Sequence, residues 1–102
     1  MQDITVEELK SKMDRGDEFV FLDVREQHEY DMYNLKAQLI PLGTLPQHIE
    51  DLEDHKDDEI VIHCRSGMRS ATAKAMLEQA GFTKVRNLLG GVLDWIAKYE
   101  TR

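Results

Sequence analysis

The chain has 102 residues, 41% hydrophobic and 32% charged, with a formal net charge of −7. That length fits one domain, residues 1–102, able to bury roughly two-thirds of the unfolded chain's surface, and leaves no room for a second. The acidic balance disfavours nucleic acid and anionic membrane as partners. No apolar run reaches the ~18 residues of a membrane span. A single cysteine cannot form an internal disulfide, and the first residues are neither basic nor apolar. These features predict a cytoplasmic protein in a reducing compartment.

Taken in order, Thr5 with Glu8 has capping-box spacing, and Val6, Leu9 and Met13 then repeat at helical intervals up to Gly16. The apolar run Phe19, Val20, Phe21 and Leu22 predicts a buried strand ending at Asp23. In a parallel sheet Asp23 and Arg25 then emerge on the same edge as the other strand ends. Residues 26–33 form a polar short helix, and Gln38, Leu39 and Ile40 a small strand stopped by Pro41. His48, Ile49 and Leu52 suggest another helix. The acidic stretch 50–59 reads as a solvated helix end and loop, because it lacks the glycine and alternating spacing of a calcium site. No metal is expected.

Ile60, Val61 and Ile62 are three β-branched residues in a row, which favours a strand covered on both faces. After them come His63 and the polar loop of Cys64, Arg65, Ser66, Gly67, Met68, Arg69 and Ser70. An alanine-rich helix follows and ends near Gly81. A last strand spans residues 85–88, and Gly90 and Gly91 turn the chain into a final helix with Val92, Trp95, Ile96 and Tyr99 on its apolar face. Trp95 and the five methionines fall at packing positions and are read as core.

Strands alternating with helices through short connections predict an α/β domain with a mostly parallel sheet. In such sheets ligands bind beyond the carboxyl ends of the strands, where helix N-termini offer free N–H groups. Cys64 stands at such an end. A lone cysteine is more often an inert buried hydrophobe, but this one is followed by two arginines, two serines and a glycine. A helix N-terminus and neighbouring cations lower a thiol pKa from about 8.5 to roughly 3.5–7.5. Cys64 is therefore read as a thiolate nucleophile.

The loop at 64–70 resembles the active-site loop of the rhodanese family, and the resemblance extends over nearly the whole chain. Residues 22–30 resemble the family's first signature, Ile40, Pro41 and Leu42 the proline that follows it, and residues 81–95 its carboxyl-terminal signature. One segment departs: Tyr33, Asn34, Leu35, Lys36, Ala37 and Gln38 stand where the family usually has a glycine, a histidine and a small-residue pair. The departure bears on a turn and on the pocket rim, not on the cysteine loop.

The resemblance implies a rhodanese-like sheet of about five strands with helices on both faces. It implies a sulfurtransferase that moves sulfane sulfur from a donor such as thiosulfate to a thiophilic acceptor through a Cys64 persulfide, without a cofactor. Arg65 and Arg69 are then expected to bind the donor's oxyanion. The backbone N–H groups of residues 65–70, those of Ser66, Gly67, Met68 and Ser70 among them, are expected to form a nest around the persulfide, with the Ser66 and Ser70 hydroxyls as further donors. Asp23, Arg25 and Glu29 are expected to steady the loop from the neighbouring strand end. Partners are a small anionic donor and a thiophilic acceptor, with a sulfur-carrier protein as an alternative acceptor. His63, next to Cys64 in an extended strand, should face the opposite side and is not the general base. Two other readings stand beside this one: a relay or regulatory docking module, and, ranked lower, a cysteine phosphatase or arsenate reductase. Cysteine phosphatases resemble this loop but place five residues between cysteine and arginine, where four separate Cys64 from Arg69.

Overall fold

The computed structural model describes residues 1–100; the last two residues of the expected domain lie outside the described residues. Helix α1, Val6–Arg15, starts where Thr5 Oγ1 accepts the Glu8 N–H at 3.1 Å and ends at Gly16. The Glu8 carboxylate is spent elsewhere, accepting a 2.7 Å hydrogen bond from Arg86.

Strand β1, Val20–Asp23, leads into α2, Gln27–Met32, and the two-residue strand β2, Gln38–Leu39. The short helix α3, Leu45–His48, and a 3-10 stretch at Glu50–His55 precede β3, Ile60–His63. Then come α4, Met68–Gln79, β4, Val85–Asn87, and α5, Gly91–Trp95, whose continuation at Ile96–Glu100 widens to π-helical turns.

All strand pairs are parallel, in the order β2-β1-β3-β4. Consecutive strands β1 and β2 lie to one side, and β3 is placed on the other, so the chain's direction of winding changes between β1 and β3. Sheets of this kind bind ligands at that crevice. Register aligns Asp23 with His63, which puts Asp23, Arg25 and Cys64 on one edge, as the sequence predicts. The expected fifth strand is reduced to one parallel bridge, Ile4 to Leu88, because the capped start of α1 turns the chain away at Thr5.

The two faces of β3 build two cores. Ile60 and Ile62 pack with Leu22, Val24, Ala73, Leu77 and Val85, whereas Val61 packs with Ile4, Leu9, Leu88, Val92 and Trp95. This alternation also decides where the thiol goes. Cys64 continues the Ile60 and Ile62 face, beneath α4, while His63 lies against Phe21 on the other.

Two sequence expectations change. The methionines are not core: Met32 and Met68 are 85% and 78% exposed, Met1 and Met13 are also exposed, and only Met76 packs against the interior. The acidic stretch is not wholly solvated, for Glu59 turns inward to Lys12 at 2.7 Å and Arg86 at 2.9 Å.

The departing segment makes its turn without glycine. Lys36 adopts φ 66°, and its N–H is held by Asn34 Oδ1 at 2.9 Å. A left-handed conformation costs a side-chain-bearing residue about 1–2 kcal/mol, partly offset in a glycine by greater unfolded-state freedom. Lys36→Gly is expected to stabilise the fold by about 0.5–1 kcal/mol, read as a higher unfolding midpoint.

Candidate active site

The loop after β3 closes on its own sulfur. Cys64 Sγ accepts the Gly67 N–H at 3.1 Å and the Ser70 N–H at 3.4 Å, and the Ser70 hydroxyl lies 3.3 Å away. Ser70 belongs to the first turn of α4, whose N–H groups have no intrahelical acceptor, so sulfur does the work that a capping side chain does elsewhere. Gly67 makes this possible with φ 107°, a conformation that side-chain-bearing residues rarely adopt.

Burial pushes the Cys64 thiol pKa up, but the Ser70 hydroxyl and the N–H groups of Ser70, Gly67 and Ser66 outweigh it and leave the pKa below the ordinary thiol value. The residue is 1% exposed, so the sulfur sits beneath the loop that surrounds it.

The second glycine pair seats the loop. Val92 N–H donates to the Cys64 carbonyl and Leu93 N–H to the Arg65 carbonyl, each at 3.0 Å. A Cβ on Gly91 would lie 2.5 Å from Arg65 O and 2.6 Å from Cys64 O, so only glycine allows this approach.

The three residues expected to steady the loop form two separate pairs. Arg25 binds Asp23 through Nε and Nη2 in a fully buried contact of 2.8–3.1 Å, and Nη2 also donates to the Tyr33 carbonyl at 2.7 Å. Glu29 instead takes a bidentate pair from Arg69, at 2.7 and 2.9 Å, tying α2 to the first turn of α4. Arg69 thereby holds the Glu29 carboxyl down at about 2.

Because that value is depressed, the stabilisation is complete above the ordinary glutamate value of 4.5 and is lost as pH falls towards about 2. Glu29→Gln is expected to lower stability by about 1 kcal/mol at neutral pH, the upper end for a partly open pair. Melting curves of the two proteins should converge as pH falls through that window.

The two arginines of the loop therefore differ. Glu29 cancels the charge of Arg69, whereas the exposed Arg65 has no ion-pair partner among the described residues. Arg65 lines a cleft of about 190 Å³ with Arg25, Glu29, Met32, Tyr33 and Leu93 among its walls. Met68 points outward at the loop mouth, and Ser66 is exposed, contributing its N–H. His63 is buried and its pKa is held low by burial, against the pull of Asp23; its Nε2 lies 3.5 Å from Asp23 and has no hydrogen-bond partner among the described residues. It faces away from the sulfur, as the strand period requires.

Sequence reasoning missed Asn87. Its side chain, 5% exposed, donates to the Gly67 carbonyl at 3.1 Å and accepts from the Ser70 hydroxyl at 2.6 Å. The signal was present: a polar residue at the end of a buried strand must find partners.

A parallel α/β domain that offers a buried thiol to a cradle of N–H groups at the winding switch defines a class of cysteine-loop domains. The chain belongs to the rhodanese-like domain family, whose pattern it matches over residues 5–98. It is 37% identical over 99 residues to the putative sulfur carrier protein YrkF of Bacillus subtilis, covering 96% of this chain and 52% of that protein. It is 35% identical over 81 residues to the tRNA uridine(34) hydroxylase of Enterobacter sp. (strain 638), covering 74% of this chain and 23% of that one. The chain thus spans about half and about a quarter of those relatives. Among solved structures, a rhodanese-like domain protein from Staphylococcus aureus superposes with a TM-score of 0.80 at 35% identity, over 93% of this chain and 91% of that one.

Proposed function

We propose that residues 1–102 work as one sulfurtransferase domain. The Cys64 thiolate attacks the outer sulfur of a thiosulfate-like donor, the donor's S–S bond breaks, and sulfite leaves with the electron pair. A persulfide remains on Cys64. A thiophilic acceptor, a thiol or cyanide, then takes the outer sulfur and returns the thiolate. No cofactor is needed, since sulfur itself carries the electrons.

The observation that carries this reading is the convergence of the Gly67 and Ser70 backbone N–H donors on Sγ. Such preorganised donors stabilise negative sulfur without moving during the reaction. Arg65, the loop cation without an ion-pair partner among the described residues, captures the donor's oxyanion, and Arg69 acts chiefly by orienting the loop through Glu29. A protein acceptor is the second reading. It is favoured by the exposed Met32 and Leu93 on the cleft beside Arg65, and by the sulfur-carrier name of the Bacillus relative.

Intact mass after thiosulfate, and again after cyanide, tests the reaction. The expected result is a gain of one sulfur atom that cyanide removes. Cys64-dependent hydrolysis of an aryl phosphate, with no sulfur gained, would overturn it.

A further inference from the structure

Donor and acceptor chemistry around Ser70 is fully determined. The Gly67 carbonyl can only accept, so the Asn87 group 3.1 Å from it is the amide nitrogen. The Asn87 oxygen therefore faces Ser70, and because it too can only accept, the 2.6 Å bond between them uses the Ser70 hydroxyl hydrogen. A hydroxyl has one hydrogen. Sγ, 3.3 Å from the same oxygen, then faces its lone pairs and can donate its own S–H to them. Asn87 is itself fixed by its N–H to Asp3 Oδ1 at 3.0 Å, and Asp3 by Lys74 at 2.7 Å.

We infer that Asn87 is a positioning residue of this site: it holds the Ser70 hydroxyl hydrogen while the sulfur is a thiol and gives it up when negative charge develops on Sγ. No covalent bond changes in the switch. The hydroxyl rotates from Asn87 to sulfur as the thiolate forms, returns when the persulfide neutralises Sγ, and rotates again as the acceptor takes the outer sulfur and Sγ leaves as thiolate. The two N–H donors from Gly67 and Ser70 serve every state. Competition from Asn87 keeps the thiolate from being over-stabilised, which matters because nucleophilicity falls as thiol pKa falls. This role in catalysis rests on the sulfur-transfer reading above.

Alkylation rates of Cys64 with iodoacetamide against pH, for wild type, Asn87→Ala, Ser70→Ala and the double variant, read the thiol without any sulfur donor. Their outcome is therefore separate from that of the thiosulfate experiment. Asn87→Ala frees the hydroxyl and is expected to lower the thiol pKa by about half to one unit, roughly three- to tenfold more thiolate at a pH below both values. In the Ser70→Ala background the same change should have no effect. Around the loop, Arg65, Arg69 with Glu29, and His63 with the Asp23–Arg25 pair keep their chemistry in all four proteins. Asn87→Asp, close in shape, is a stronger acceptor and should raise the thiol pKa, more with Ser70 present than without it. Asn87→Ala raising the pKa or leaving it unchanged, or shifting it equally in both backgrounds, would overturn the inference and assign Asn87 to loop packing alone. If Asn87→Ala does not fold, equal shifts from Asn87→Asp in the two backgrounds would do the same.

Discussion

Cys64→Ser is expected to gain no sulfur from thiosulfate and to melt close to wild type. Oxygen in place of sulfur leaves the Gly67 and Ser70 N–H groups an acceptor, so the cap on α4 survives. It does not survive in Cys64→Ala. There the buried Ser70 N–H and the Gly67 N–H lose their acceptor, a loss of about 1–3 kcal/mol. The pair of variants separates chemistry from architecture. Both should be inactive by intact mass, and only alanine should be clearly less stable in urea titration. Equal and large destabilisation by both would identify Cys64 as a packing residue, and sulfur uptake by the serine variant would remove it from the reaction.

The second large effect lies outside the loop. Gly91→Ala is expected to cost about 3 kcal/mol or more, combining the left-handed penalty at φ 57° with overpacking against backbone. The atoms a Cβ meets are the Cys64 and Arg65 carbonyls, neither of which can rotate away as a side chain would. Relief requires α5 to withdraw, breaking the Val92 and Leu93 bonds that hold the loop from behind. Sulfur transfer should therefore fall even in the fraction that remains folded. Gly43→Ala is the control, since nothing lies within 4 Å of a Cβ there, and it should change stability by less than about 0.5 kcal/mol. Similar midpoints for the two variants would show that the contact is not rigid.

Local chemistry made much of this protein legible in its sequence. The Thr5 cap, the stop at Gly16, the three β-branched residues of β3 and the arginine-flanked cysteine each act within a few residues, so pattern alone places them. The strand period likewise assigns Cys64 and His63 to opposite faces, where the contacts put them. Residues far apart in the chain behaved otherwise. Which carboxylate each arginine takes depends on distances across the fold. Glu29 lies 40 residues from Arg69 and pairs with it, and Glu8 leaves its own helix start for Arg86, 78 residues away. The exposure of Met32 and Met68 follows from which side of α2 and α4 faces water, and thioether composition says nothing of that. Asn87, 17 residues from Ser70, joins the sulfur's surroundings only because β4 pairs beside β3. Sequence by itself determined that a thiol opens a polar loop and which end of the sheet carries it, because both are set by neighbouring residues and strand period. Tertiary structure alone decided which charges are cancelled, which remain open and which hydrogen faces the sulfur, because those depend on parallel pairing and close approach between distant segments.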